Sequence, residues 1–137
     1  IDVLALHAAG TVEGDRIEAR GVRRIFGGAA RHHIYTPAIK GNTGHLLGAS
    51  GPLTLAVMLE AMHRGKIPPT MNLDEEDEEV DLDGNAKGVR DDHVLVCIVN
   101  ATGASHNAAL TLAHPKAMRS FDPPQANEVM PIPSDHP

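Results

Sequence analysis

An α/β fold with a mixed sheet is what this sequence predicts, on three observations. Strand-like apolar runs alternate with helix-period segments, in the order strand, helix, strand, helix, strand, strand. The stretch from His45 to Arg64 is apolar almost all round as far as Met62, the pattern of a buried helix. Finally, residues 94–99 and 108–113 are two apolar runs separated by a short loop, which predicts an antiparallel hairpin at the end of the sheet.

The elements follow in order. Residues 1–6, Ile-Asp-Val-Leu-Ala-Leu, are mostly apolar, as expected of a strand covered on both faces. Residues 14–26 place Ile17, Val22 and Ile25 among Asp15, Arg16, Glu18, Arg20, Arg23 and Arg24, an amphipathic helix that Gly27-Gly28 ends. Residues 34–39 form a short strand interrupted by Pro37. The apolar helix from His45 is expected to kink or restart at Pro52 and to close at Gly65. Residues 67–73 are extended. Residues 74–83 then carry eight acids in ten positions, so a solvated loop or a docking patch for a basic partner is expected there. From Pro115 onward, Pro, Ser, Asp and Asn dominate, and residues 115–137 read as a tail outside a folded unit of residues 1–114.

Composition narrows the function. The chain has 137 residues, a net charge of −6 and only 2% aromatic residues, so its core is aliphatic and no broad basic face for nucleic acid is expected. The apolar helix is broken by Gly48, Gly51 and Pro52 and falls short of the roughly 20 residues a membrane span needs. Cys97 is the only cysteine, which leaves no disulfide framework and implies a reducing compartment: cytoplasm, mitochondrion or plastid. It has no His or Cys at ligand spacing, so no metal site is expected. No Gly-Lys-Ser/Thr follows Gly44, Gly48 and Gly51, so these are not a phosphate loop. A 137-residue unit can hardly cover so apolar a helix alone, so an oligomer or a further portion of the fold is expected to pack on it.

Three polar groups stand at element ends: His7 after the first strand, Lys40 after the second, and His45 at the mouth of the apolar helix. Sites of open α/β sheets gather at the carboxyl ends of strands, so these three can converge. Two neutral imidazoles donating to one carbonyl oxygen would stabilise an enolate as it forms. A helix N-terminus disfavours the imidazolium and would keep His45 neutral. Lys40 could hold a carboxylate or tune its neighbours.

These residues sit in blocks that resemble the C-terminal part of a β-ketoacyl-acyl-carrier-protein synthase of the elongating type, a condensing enzyme of thiolase-like fold. Lys40 to Ser50, Lys-Gly-Asn-Thr-Gly-His-Leu-Leu-Gly-Ala-Ser, resembles that family's Lys-x-x-x-Gly-His-Leu-x-Gly-Ala block. Pro68 to Asp74 resembles its Pro-Pro-Thr-x-Asn-Leu segment, and the stretch from Ile1 through His7, Thr11, Gly14, Asp15 and Glu18 resembles the surroundings of its first catalytic histidine. The resemblance implies a decarboxylative Claisen condensation in fatty-acid or polyketide synthesis. His7 and His45 would polarise the malonyl thioester oxygen. Lys40 would organise the site, paired with Glu18 and supported by Asp15. Thr11 would touch the phosphopantetheine arm, and Gly103 and Ala104 would lie in the gating loop. The cofactor arrives on the substrate, and the partner implied is an acyl carrier protein.

The departures point the other way. The nucleophilic cysteine of the family belongs to its N-terminal part, and Cys97 lies in the wrong strand to replace it. His-Gly-Thr-x-Thr reads His7-Ala8-Ala9-Gly10-Thr11, which loses a threonine at Ala9. The gating loop is shortened to Asn100–Asn107, with Ala104 nearest the gating phenylalanine. Three functions stay open: a catalytic segment whose cysteine is supplied elsewhere, an inactive structural subunit of a larger assembly, and a carrier-binding partner that uses Arg16, Arg20, Arg23 and Arg24 as its docking face.

Overall fold

The computed structural model describes residues 1–28, 33–84, 88–103 and 106–118. Its elements are β1 (Val3–Ala5), α1 (Val12–Phe26), α2 (Lys40–Thr43), a 3-10 turn (Leu47–Ala49), α3 (Ser50–Arg64), β2 (Lys66–Ile67), β3 (Arg90–Asp91), β4 (Val96–Gly103), β5 (His106–Ala113) and α4 (Pro115–Met118). The main sheet has the order β1-β4-β5. β1 runs parallel to β4 with Val3 opposite Cys97 and Ala5 opposite Val99, and β4 pairs antiparallel with β5 from Val96–Ala113 to Gly103–His106. The sheet is therefore mixed and the hairpin is present, as the sequence predicts.

Period-2 alternation makes the two layers. Val3, Ala5, Cys97 and Val99 point to one face and pack with Ile39, Met58, Ala61 and Ile67, so α3 lies on that side. Leu4 and Leu6 point to the other face and pack with Ala19 and Val22 of α1, together with Ile34 and Leu82. β1 is thus buried on both faces, which is why its run is continuously apolar. Acidic Glu13 and Asp15 begin α1 and Arg23 and Arg24 end it, matching the helix dipole. Gly65 ends α3 in the left-handed conformation at φ 64°, its N–H donating to Ala61 O.

Four expectations need correction. Residues 34–39 lie extended beside β1 but form only single-residue bridges at Tyr35, because Pro37 has no N–H to continue a ladder. The apolar helix starts at Ser50, not at His45, because Gly44 at φ 74° and Leu47 at φ 51° leave the helical region. Pro52 falls in its first turn, where the missing N–H has no helical partner to lose. Nor is this helix buried all round. Ser50, Thr54, Met58 and Ala61 form its buried stripe, while Leu59 is 51% exposed and the preceding Leu47 is 80% exposed.

The acidic run lies against α1. Arg16 Nε meets Asp77 Oδ2 at 2.9 Å, and Arg23 Nη1 donates to the carbonyl oxygens of Glu79 and Val80, each at 2.7 Å. Arg20 pairs within its own helix with Glu13 at 3.3 Å. Two of the four arginines expected to dock a carrier protein, Arg16 and Arg23, are therefore engaged by the chain's own acidic segment, while Arg20 and Arg24 stay exposed. Residues 119–137, most of the expected tail, lie outside the described residues. Among the described residues, no helix is long and apolar enough to cross a membrane.

Candidate active site

His7 leaves the end of β1 and is fixed from three sides. Its Nδ1 accepts the backbone N–H of Thr102 at 3.1 Å, and Lys40 Nζ stands 3.4 Å from the same nitrogen while donating to the His7 carbonyl oxygen. A backbone N–H can only donate, so Nδ1 is an acceptor and the ring proton resides on Nε2. Burial pushes the His7 pKa down, and the adjacent Lys40 charge lowers it further. The imidazole is held neutral with one N–H to offer.

His45 reaches the same tautomer by a different route. It sits in the loop between α2 and the 3-10 turn, so no helix dipole acts on it as a first-turn residue; that expectation is replaced by direct hydrogen bonds. Its Nδ1 accepts Leu47 N–H at 3.0 Å and lies 3.2 Å from Ser50 Oγ. The two rings meet edge to face, with centroids 5.4 Å apart and an interplanar angle of 78°. The structure therefore brings His7, Lys40 and His45 together at the end of β1.

Glu18 organises this cluster through the backbone. Its Oε1 accepts His7 N–H at 2.8 Å and Asn100 Nδ2 at 2.6 Å, and its Oε2 accepts Ala8 N–H at 2.8 Å. It does not form the expected ion pair with Lys40, because the lysine ammonium reaches the His7 carbonyl instead. Glu18 acts on Lys40 through space: burial lowers the lysine pKa, while the Glu18 and Asp15 charges oppose that shift. Asp15 Oδ1 accepts Gly10 N–H at 3.3 Å, and burial raises its pKa.

Backbone strain marks both histidine loops. Ala8 adopts φ 38° immediately after His7, and Leu47 adopts φ 51° two residues after His45. Left-handed backbone costs a residue with a Cβ about 1–2 kcal/mol. In both cases the strained residue's N–H is the one that makes a site hydrogen bond, to Glu18 or to His45.

The Pro68–Asp74 block has a mechanical role. Thr70 Oγ1 accepts Ala38 N–H at 2.9 Å and donates to Gly84 O at 2.6 Å. Asn72 Nδ2 donates to Gly41 O at 2.9 Å. A Cβ at Gly41 would lie 2.4 Å from Met71 O, so this segment packs directly on the turn that carries Lys40.

The remaining predicted residues are more dispersed. Thr11 is the N-cap of α1 yet makes no side-chain cap, and it lines a hollow of about 320 Å³ with Asp15, Thr36 and Thr70. His7 instead lines a larger groove of about 780 Å³ between α1 and the sheet, with Ile17, Val22, Ile98 and Asn100. Gly103 closes β4 opposite His106, and Ala104 lies outside the described residues. Sequence reasoning missed Ser50, Asn100 and Thr102. All three lie within the Lys40–Ser50 and Asn100–Asn107 blocks, but Thr102 acts through its backbone N–H, for which no side-chain signal exists.

Comparison with known proteins agrees with this fold. Residues 1–74 match the model of the β-ketoacyl synthase C-terminal domain. The chain is 38% identical over 115 residues to the tetracenomycin polyketide synthase ketoacyl synthase alpha subunit of Streptomyces glaucescens, covering 83% of this chain and 27% of that protein. It is 32% identical over 114 residues to 3-oxoacyl-[acyl-carrier-protein] synthase 2 of Coxiella burnetii, covering 82% of this chain and 27% of that one. The solved ishigamide ketosynthase/chain length factor superposes with a TM-score of 0.75 at 29% identity, over 81% of this chain and 27% of that one. A ketosynthase solved in complex with its type II polyketide acyl-carrier protein has the same fold, with a TM-score of 0.77 at 21% identity over 83% of this chain and 28% of that one. The chain thus spans about a quarter of the length of these relatives. A histidine after β1 that meets a second from the loop after α2, beside a mixed sheet layered between α1 and α3, is therefore part of a thiolase-like fold, and the chain belongs to the β-ketoacyl synthase family through that family's C-terminal domain.

Proposed function

We propose that this chain is the histidine-bearing segment of a ketosynthase that performs decarboxylative Claisen condensation, with the cysteine nucleophile supplied outside these residues. The observation that carries this is the shared tautomer: His7 and His45 both use Nδ1 as an acceptor, so two Nε2–H donors remain on rings 5.4 Å apart. Both can bind one malonyl thioester oxygen. As the carbon–carboxylate bond breaks, carbon dioxide leaves and its electron pair moves into the thioester carbonyl, forming an enolate. The two N–H groups stabilise the negative oxygen. The enolate carbon then attacks the acyl thioester on the cysteine; a carbon–carbon bond forms and the thiolate leaves. Burial, and then the positive charge of Lys40 beside it, keep the His7 imidazole neutral and preserve the donor.

Thr11 fits the phosphopantetheine arm, since its hydroxyl is not spent on capping α1. The substrate carries that arm, so no cofactor of the chain's own is needed. The related ketosynthase solved with its acyl-carrier protein supports the same class of partner here. With Arg16 and Arg23 engaged by the acidic segment, Arg20 and Arg24 are the α1 arginines left exposed to meet an acidic carrier.

A second reading, an inactive structural subunit, draws on Ala9 in place of threonine and on β4 and β5 pairing as far as Gly103–His106. One assay separates them. In the assembled protein, malonyl-carrier decarboxylation is expected and His45→Ala should reduce it by about 10²–10³-fold, the cost of one oxyanion donor. Turnover unaffected by His45→Ala refutes the catalytic reading.

A further inference from the structure

We infer that Ser50 is a positioning residue for His45, an inference that rests on the catalytic reading above. Ser50 is the first residue of α3 and is buried, at 6% exposure, although the loop before it is exposed. Its hydroxyl oxygen accepts Leu46 N–H at 2.8 Å and lies 3.2 Å from His45 Nδ1. The hydroxyl has one proton. With Leu46 occupying a lone pair, that proton is directed at Nδ1, which already accepts Leu47 N–H at 3.0 Å. Ser50 therefore bonds Leu46 and His45 at once, and ties the exposed loop to the rigid start of α3.

The consequence is chemical as well as mechanical. Two donors converging on Nδ1 disfavour a proton there, which places the proton on Nε2 and aims that N–H away from α3. An alanine at position 50 would leave only Leu47, whose own backbone is strained, to hold the ring, and would leave Leu46 N–H without its acceptor. His45 would then rotate and exchange tautomers more freely. Ground-state binding of substrate depends little on this, but alignment with a developing oxyanion depends on it directly.

The test uses the assembled protein, with ¹⁵N-labelled histidine. In Ser50→Ala, the His45 Nδ1 resonance should move toward that of a protonated nitrogen as the tautomers mix, kcat for malonyl-carrier decarboxylation should fall about 10-fold, and KM should stay within about twofold. Ser50→Thr, which keeps the hydroxyl, should restore the resonance. Thr54→Val removes another buried hydroxyl of α3 and should lower thermal stability without moving the His45 signals. An unchanged Nδ1 resonance in Ser50→Ala overturns the inference whatever the activity. Because that readout needs no turnover, it stands even where turnover proves unaffected by His45→Ala, so the two failures are distinguishable.

Discussion

Replacing Glu18 tests the architecture of the site most directly. The carboxylate accepts three hydrogen bonds, from His7 N–H, Ala8 N–H and Asn100 Nδ2, at 2.8, 2.8 and 2.6 Å. Hydrogen bonds to a charged group contribute about 1.5–3 kcal/mol each when buried. Glu18 is half-buried, so water replaces part of that in a variant, and about 3–5 kcal/mol is a reasonable loss for Glu18→Ala. Glu18→Gln keeps one acceptor oxygen but turns an NH₂ toward a donor; about 2–3 kcal/mol follows. The strained Ala8 backbone would lose its hydrogen bond, so the His7 loop should relax first. The lysine provides a second, pH-dependent signature. Glu18 raises the Lys40 pKa against the lowering effect of burial, so removing it lets that pKa fall further. Lys40 then loses its proton at lower pH, and the alkaline limb of the decarboxylation profile should move to lower pH in Glu18→Gln. Linkage has the same sign for stability. A lysine with a depressed folded-state pKa binds fewer protons folded than unfolded, so stability rises as pH passes from the folded value toward the unfolded one near 10.4. That rise should begin earlier in Glu18→Gln. Denaturant unfolding and pH–rate profiles of the assembled protein provide both readouts. Wild-type stability in Glu18→Gln, together with an unmoved alkaline limb, would refute the assignment of Glu18 as the organiser of the His7 loop.

Two further substitutions have opposite signs. Ala8→Gly should stabilise by about 0.5–1 kcal/mol, because relief of the left-handed strain at φ 38° exceeds the added freedom of glycine in the unfolded chain; a lower unfolding midpoint would contradict the strain. Gly41→Ala should destabilise by about 2 kcal/mol or more and reduce activity, since its Cβ would meet the Met71 carbonyl at 2.4 Å and force apart the turn that carries Lys40. Retention of both stability and activity would show that this contact does not shape the site.

The short apolar run of β1, the arginine-rich period of α1, the hairpin and the Lys40–His45 spacing are all properties of side-chain type and order, so they were legible directly. They suffice for an α/β fold with a mixed sheet and for His7 at a strand end, where sites of such folds gather, whereas Lys40 and His45 reach it from a short helix and the loop after it. The apolar run predicts a helix from His45 buried nearly all round, whereas the helix starts at Ser50 and buries one stripe. Apolar composition reports what a helix can bury, not what happens to cover it, and residues 44–47 leave the helix through positive φ values that a leucine does not advertise.

The sequence by itself determined the fold class, the family and the three polar groups at the element ends, because periodicity and motif spacing are local. Tertiary structure alone decided how those groups are held. Glu18 serves the backbone of His7 rather than Lys40, Thr102 and Ser50 set the imidazole proton positions, and the acidic run engages Arg16 and Arg23 of α1. Each of these is a contact between residues whose pairing depends on the path of the chain in space, and several are made by backbone N–H groups that every residue except proline carries.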